Sequence, residues 1–269
     1  MIIIGEKING AIPSVAAAIE ARDGEFIRNR ASAQAAAGAD FIDCAPGTAT
    51  ELEHDAMVWL LDQIQSVTDR PVCIDSPDAA LLARILEEGR VQRPGMVNSV
   101  NEESDKCERI FPLIAGTEWS VIGLTCDSDG IPTSTEKKLE IAKRIIDKAD
   151  AFGVKRDRLH IDPCVMALAA YPESMRQFEE CIAGIHDYAP EVKVTGALSN
   201  ISFMMPARKY VNLGCAAYAV RAGLDSAILD PCSTDLMSVI AACEALCVQD
   251  KSGRKYNRLY RQGKIGAKK

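Results

Sequence analysis

The sequence predicts a single parallel (β/α)8 barrel, the TIM barrel. Three observations carry that expectation: short β-branched apolar runs and amphipathic stretches alternate eight times, glycine closes several of the amphipathic stretches, and the chain is 269 residues long. A barrel of this kind needs about 250 residues and folds as one domain. No Gly-x-Gly-x-x-Gly follows the first apolar run and no second domain is visible, which disfavours an open doubly wound sheet.

The first strand is expected at residues 2–4, stopped by Gly5-Glu6-Lys7, with the first helix at 24–37 closed by Gly38. Strand two (41–44) follows the Gly38-Ala39-Asp40 turn, and its helix covers 54–67. Strand three (72–74) precedes a helix at 77–88, and strand four (95–98) one at 103–115. Strand five (120–124) leads to the best-marked helix, 135–152, where Ser134 or Thr135 before Glu136 reads as an N-cap and Gly153 as the C′ residue. Strand six (159–161) is followed by a helix at 173–188 behind Pro172, and strand seven (192–197) by one at 209–222 that ends on Gly223. Strand eight (226–229) gives way to a helix at 234–248, opened by Ser233 and Asp235. Residues 1–250 therefore form the barrel, and residues 251–269 a basic C-terminal tail.

Composition excludes several functions. Hydrophobic residues are 48% and charged residues 26%, ordinary for a globular enzyme, while 5% aromatic content is too little for a nucleic-acid stacking platform. Net charge is −7, yet the tail holds eight Lys/Arg and no Asp/Glu, so the barrel carries roughly −15 and should repel nucleic acid. The tail is expected to be solvated and partly frayed. No apolar run is long enough for a membrane span and no export signal opens the chain, so a cytoplasmic protein is expected. Ten irregularly spaced cysteines, with no Cys-x-x-Cys, are expected to be free thiols.

The chemistry is expected where the strands end. Those positions read Glu6 and Asn9, Asp43, Asp75-Ser76, Asn98-Ser99, Thr125 with Asp127, Asp162, Ser199-Asn200, and Asp230. All are polar, and in a barrel they converge on one mouth. No His, Lys or Arg closes a strand and no glycine-rich phosphate cradle is present, which argues against a His-rich metal centre and a phosphorylated sugar. No metal is expected. A mouth of Asp and Asn suits a flat, neutral, nitrogen-rich ligand with several N–H donors, and a pterin fits that description.

The segments Ile4-Gly5-Glu6-Lys7-Ile8-Asn9-Gly10, Cys73-Ile74-Asp75-Ser76, Val97-Asn98-Ser99, Ile122-Gly123-Leu124-Thr125, Ile161-Asp162-Pro163 and Leu198-Ser199-Asn200-Ile201-Ser202 together resemble the pterin-binding methyltransferases. This is the family of methyltetrahydrofolate:corrinoid/iron–sulfur protein methyltransferase and of methylcorrinoid:tetrahydrofolate methyltransferases; the folate domain of cobalamin-dependent methionine synthase is similar at greater distance. The resemblance runs in order from residue 1 to about residue 248. It implies methyl transfer between N5 of tetrahydrofolate and the cobalt of a corrinoid, a cobalamin-type cofactor carried by a partner protein, in a direction the sequence leaves open. Asp75, Asn98 and Asp162 would hold the pterin, and Asn200 would be the catalytic residue beside N5. Ser202, Arg208, Asp43 and Gly196 would complete the folate site. Homodimerisation is a family expectation. Phe203 resembles the methionine-synthase form, and the loop from Met204 to Ala207 departs from the corrinoid/iron–sulfur branch. Two alternatives stay open: a dihydropteroate synthase-like enzyme, whose basic pair is replaced here by Asn200-Ile201, and a non-catalytic folate- or corrinoid-binding module.

Overall fold

The computed structural model describes residues 1–266. Eight parallel strands follow one another around a barrel: β1 (Ile2–Gly5), β2 (Phe41–Cys44), β3 (Val72–Asp75), β4 (Met96–Glu102), β5 (Ser120–Asp127), β6 (Leu159–Asp162), β7 (Lys193–Val194) and β8 (Ser226–Leu229). The ladder runs unbroken from β8 through β1 to β7. Closure comes from backbone bonds: Asp225 N–H donates to Val194 O at 3.1 Å, Ile228 N–H donates to Gly196 O at 3.0 Å, and Ala197 bridges Ile228.

Ten helices surround the strands among the described residues: α1 (Pro13–Glu20), α2 (Gly24–Ala37), α3 (Thr50–Gln65), α4 (Ala79–Glu87), α5 (Lys106–Ile114), α6 (Thr135–Phe152), α7 (Ser174–Tyr188), α8 (Arg208–Ala222), α9 (Thr234–Leu246) and α10 (Arg254–Arg261). Caps stand where the sequence put them. Ser134 accepts from Lys137 N–H and Ser233 from Leu236 N–H, while Gly38, Gly153 and Gly223 take the left-handed conformation that ends α2, α6 and α8.

Alternation along each strand sorts side chains into two cores. Ile3, Ile42, Val72, Ile74, Val97, Val121 and Ile161 point outward to the helices. Ile4, Cys73, Met96, Ile122 and Ile228 fill the barrel interior, with Phe41, Leu124 and Ala197 against them. The same period of two turns Asp43, Asp75, Asn98 and Asp162 inward at the strands' C-terminal ends. Strand register keeps them level: Asp75 pairs with Asn98, and Leu124 with Asp162.

Four expectations are corrected. The seventh strand is shorter than 192–197: regular pairing covers Lys193–Val194, and Thr195, Gly196 and Ala197 keep only single backbone contacts before the chain tightens into a 3-10 turn over Leu198–Ser202. β4 and β5 are longer than expected, because Glu102 and Asp127 still pair beyond the bulge that follows Asn98. A helix not expected from the sequence, α1, lies between the first strand and the helix at 24–37, with Pro13 in its first turn. Residues 251–266 are not frayed: Asp250 caps the end of the chain by accepting from Lys255 N–H at 2.9 Å and Tyr256 N–H at 2.8 Å, and Leu259 and Ile265 pack onto the barrel's outer core. The last three residues of that tail lie outside the described residues.

Candidate functional site

A cavity of about 890 Å³ opens at the C-terminal mouth of the barrel, the size class of sites that take a drug-sized ligand. Its floor is the inward-facing layer Asp43, Asp75, Asn98, Leu124 and Asp162. Its wall is the turn Ala197 to Asn200 with Arg208, and its rim carries Lys7, Lys209 and Phe203. Two backbones press together to hold this mouth: Gly10 N–H donates to Ala45 O at 2.8 Å, and a Cβ on Gly10 would stand 1.9 Å from Pro46 O. Only glycine fits there.

The floor is electrostatically tense. Asp43 is buried, and burial, followed by repulsion from Asp75, pushes its carboxyl well above the ordinary range, although Cys73 and Asn98 hydrogen-bond it. Its Oδ1 has no hydrogen-bond partner among the described residues. Asp75 is raised to about 7, by burial first; its hydrogen bond with Asp43 works the other way, and Glu53 adds to the rise. A shared proton between the two carboxyls follows, as for any close buried pair. Asp162 is raised to about 6 by burial, against the backbone N–H groups of Cys164 and Ala197 and the Lys138 ammonium, which favour the carboxylate. Cys164 N–H sits 2.7 Å from Asp162 Oδ1, and Lys138, itself buried, donates to Cys164 O at 3.0 Å.

The wall is held in place by side-chain hydrogen bonds. Arg208 donates through Nε to Ser202 Oγ and through a terminal nitrogen to Ser199 O, both at 2.9 Å, so its guanidinium is clamped at the cavity edge. Asn200 is exposed in the same wall. Across from it, Glu6 accepts from Ser199 Oγ at 3.4 Å and is raised by burial, with Lys7 opposing that shift.

Six of the eight site residues read from the sequence thus line one cavity: Asp43, Asp75, Asn98, Asp162, Asn200 and Arg208. Ser202 and Gly196 do not. Ser202 is fully buried behind the wall, where its hydroxyl bonds Ser199 O and Arg208. Gly196 packs on α7, and a Cβ there would come within 2.8 Å of the Phe178 ring. Glu53 was missed: it is buried and accepts from Ser76 Oγ at 2.8 Å, beside Asp75. α3 starts four residues before the expected helix, and its cap residue Ala49 offers no side-chain signal. The cationic rim of Lys7 and Lys209 also escaped a reading confined to strand ends. His160 is buried in the barrel beside Ser226, with Nδ1 and Oγ 2.7 Å apart, and burial lowers it to about 3, so it is neutral.

A family model described as pterin binding enzyme matches residues 8–230. Methylcorrinoid:tetrahydrofolate methyltransferase of Eubacterium limosum is 45% identical over 268 residues, covering 99% of this chain and 98% of that protein. Methionine synthase of Mycobacterium tuberculosis is 32% identical over 245 residues, 85% of this chain but 20% of that protein. Among solved structures, 7,8-dihydropteroate synthase of Vibrio fischeri superposes with a TM-score of 0.65 at 16% identity, covering 93% of this chain and 94% of that one. Dihydropteroate synthase of Thermus thermophilus gives 0.63 at 18% identity, with 81% and 88% covered. At such identities these structures establish the fold alone.

Proposed function

Because the chain belongs to the pterin-binding enzyme family, we infer that it is a methyltransferase acting between N5 of tetrahydrofolate and the cobalt of a corrinoid carried by a partner protein. The observation that carries this reading is the 45% identity spanning nearly the whole of both this chain and the methylcorrinoid:tetrahydrofolate methyltransferase. That relative's name has the methyl group leave the corrinoid, and we assign the same direction here: N5 attacks the methyl carbon, the bonding pair stays on cobalt as Co(I), and N5 releases a proton.

In this reading Asp75, Asn98 and Asp162 hold the pterin on the cavity floor, with Asp43 sharing the Asp75 proton. Ring N–H and amino groups supply the donors that Asp43 Oδ1 lacks. Asn200 stands beside N5. As the methyl arrives, N5 becomes cationic with its proton still attached, and a carbonyl oxygen aimed at that N–H stabilises the developing charge without a strong acid. In reverse the same contact makes N5 a better leaving group. Arg208, held by Ser199 and Ser202, meets the part of the folate that leaves the floor. Gly196 and Ser202 act behind it, one seating the wall on α7, the other aiming Arg208.

A mouth that admits a protein-bound corrinoid must be open, and Phe203, 59% exposed at the rim, supports that reading. A homodimer formed through barrel helices belongs to it too, supported by Tyr210 and Tyr218 of α8, 72% and 57% exposed. A cytoplasmic location agrees with the finding that no helix among the described residues is long and apolar enough to cross a membrane.

The test is an anaerobic spectrum. With methylcobalamin and tetrahydrofolate, the protein should convert the methyl-Co(III) band to that of Co(I). Folate binding without any spectral change, on free cobalamin or on a corrinoid protein, would instead make the chain a binding module. Dihydropteroate formed from a pterin pyrophosphate and p-aminobenzoate would make it a synthase.

A further inference from the structure

Two cysteines, one lining the cavity and one beside it on β5, have no part in this reaction. Cys126 lies near the end of β5 and Cys164 two residues beyond β6. Leu124 pairs with Asp162 across those strands, and Cys164 follows Asp162 through Pro163 on a turn that leaves the strand. Neighbouring strands run about 4.8 Å apart, and a disulfide needs Cα atoms roughly 4.4–6.8 Å apart. The two thiols lie close enough for each to shift the other's acidity, Cys164 Sγ also donates to Asp162 O at 3.5 Å, and both residues are partly exposed.

Their surroundings separate their roles. Asn101 Nδ2 donates to Cys126 Sγ at 3.2 Å. The nearby Cys164 thiol, then Asn101 and the Lys106 ammonium, draw the Cys126 thiol down to about 7 against the opposing effect of burial, while the nearby Cys126 thiol and burial push Cys164 well up. Cys126 is the nucleophile and Cys164 the resolving thiol.

Cys164 is also tied to the floor. It lines the cavity, its backbone stands in the left-handed region (φ 56°), and its N–H is the group that holds Asp162 Oδ1.

We propose that Cys126 and Cys164 form a modification site for small-molecule disulfides, and that closing the bridge disturbs the Asp162 turn and weakens ligand binding in the cavity. The Cys126 thiolate attacks one sulfur of R–S–S–R and RS⁻ leaves, protonated to RSH. The Cys164 sulfur then attacks Cys126 Sγ, its proton leaving with the second RS⁻. Two protein thiols are oxidised to one disulfide while one small disulfide is reduced to two thiols. A dithiol reductant reverses the reaction.

The site stands independently of the proposed function; its effect on folate rests on that reading. The full chain is treated anaerobically with glutathione disulfide, residual thiols are alkylated, and peptides are mapped by mass spectrometry. A Cys126–Cys164 peptide that is absent from Cys126→Ser is the expected result. A stable glutathione adduct on Cys126, a bridge between other cysteines, or no reaction overturns the site. In parallel, 5-methyltetrahydrofolate affinity is measured before and after oxidation. It should fall by about tenfold or more, the scale of one displaced hydrogen-bond partner, and dithiothreitol should restore it. Cys126→Ser should bind with one affinity throughout. A bridged protein with unchanged affinity overturns the coupling; a protein that binds no folate in either state contradicts the pterin reading and leaves the peptide map to judge the site.

Discussion

At the residue scale, the floor carboxylates make two predictions. Removing Asp75 or Asp162 by alanine substitution leaves N–H donors of the ligand unpaired, so folate binding should weaken by about 1–3 kcal/mol in calorimetry; equal affinity in both variants would contradict the assignment. The second prediction concerns pH. Asp162 is raised from 3.8 to about 6 by burial, so the folded protein binds a proton more tightly than the unfolded chain. That stabilisation is fully present below pH 3.8 and is lost as pH rises through 6. Relative to Asp162→Asn, which keeps an acceptor for Cys164 N–H, the wild type should lose at most about 3 kcal/mol between pH 4 and pH 7. Urea midpoints at the two pH values measure it, and parallel curves would contradict it.

At the element scale, the turn after β7 sets the cavity wall. Gly196→Ala drives a methyl group into the Phe178 ring of α7, and overpacking of this kind costs about 1–3 kcal/mol. Loss of stability that Phe178→Leu relieves in the double variant is the expected outcome; additive losses would place the strain elsewhere. The strands were largely legible in the sequence because each carries its own β-branched run and polar stop, and the floor residues because Asp and Asn close those runs. Period two then decides which of them face inward. What escaped had no local signal. Glu53 enters the site through a helix start that no side chain caps, and Ser202 and Gly196 stand behind the wall because regular strand pairing ends at Val194 and the chain tightens into a turn at Leu198, a tertiary event that neither residue announces.

At the scale of the whole molecule, the C-terminal segment closes the barrel's N-terminal face, opposite the mouth. Lys255 and the Met1 ammonium both meet buried Glu244, at 2.7 and 2.6 Å, and Leu259 borders a small cavity with Met1 and Ile3. Deleting residues 251–269 should therefore lower the melting temperature by several degrees, as expected for a loss of about 1–2 kcal/mol, while folate affinity at the far mouth stays unchanged. An unaltered melting temperature would contradict the sealing role. The sequence marked this segment only as a block of positive charge; its helix follows from the Asp250 cap and from Leu259 and Ile265, whose apolar side chains find a surface only in the folded barrel.

The proposed reaction moves a methyl group to N5 at the barrel mouth, with Asn200 assisting the step. The most direct measurement is carbon NMR of a single turnover with 13C-methylcobalamin and tetrahydrofolate, in wild type and Asn200→Ala. Passage of the label from cobalt to N5 in the wild type is predicted, with the Asn200→Ala rate falling by more than its folate affinity, within the roughly 10²–10⁴-fold range of positioned proton and hydrogen-bond assistance. Label that remains on cobalt in the presence of bound tetrahydrofolate would contradict methyl transfer, and a rate that falls only in step with affinity would reduce Asn200 to a binding residue.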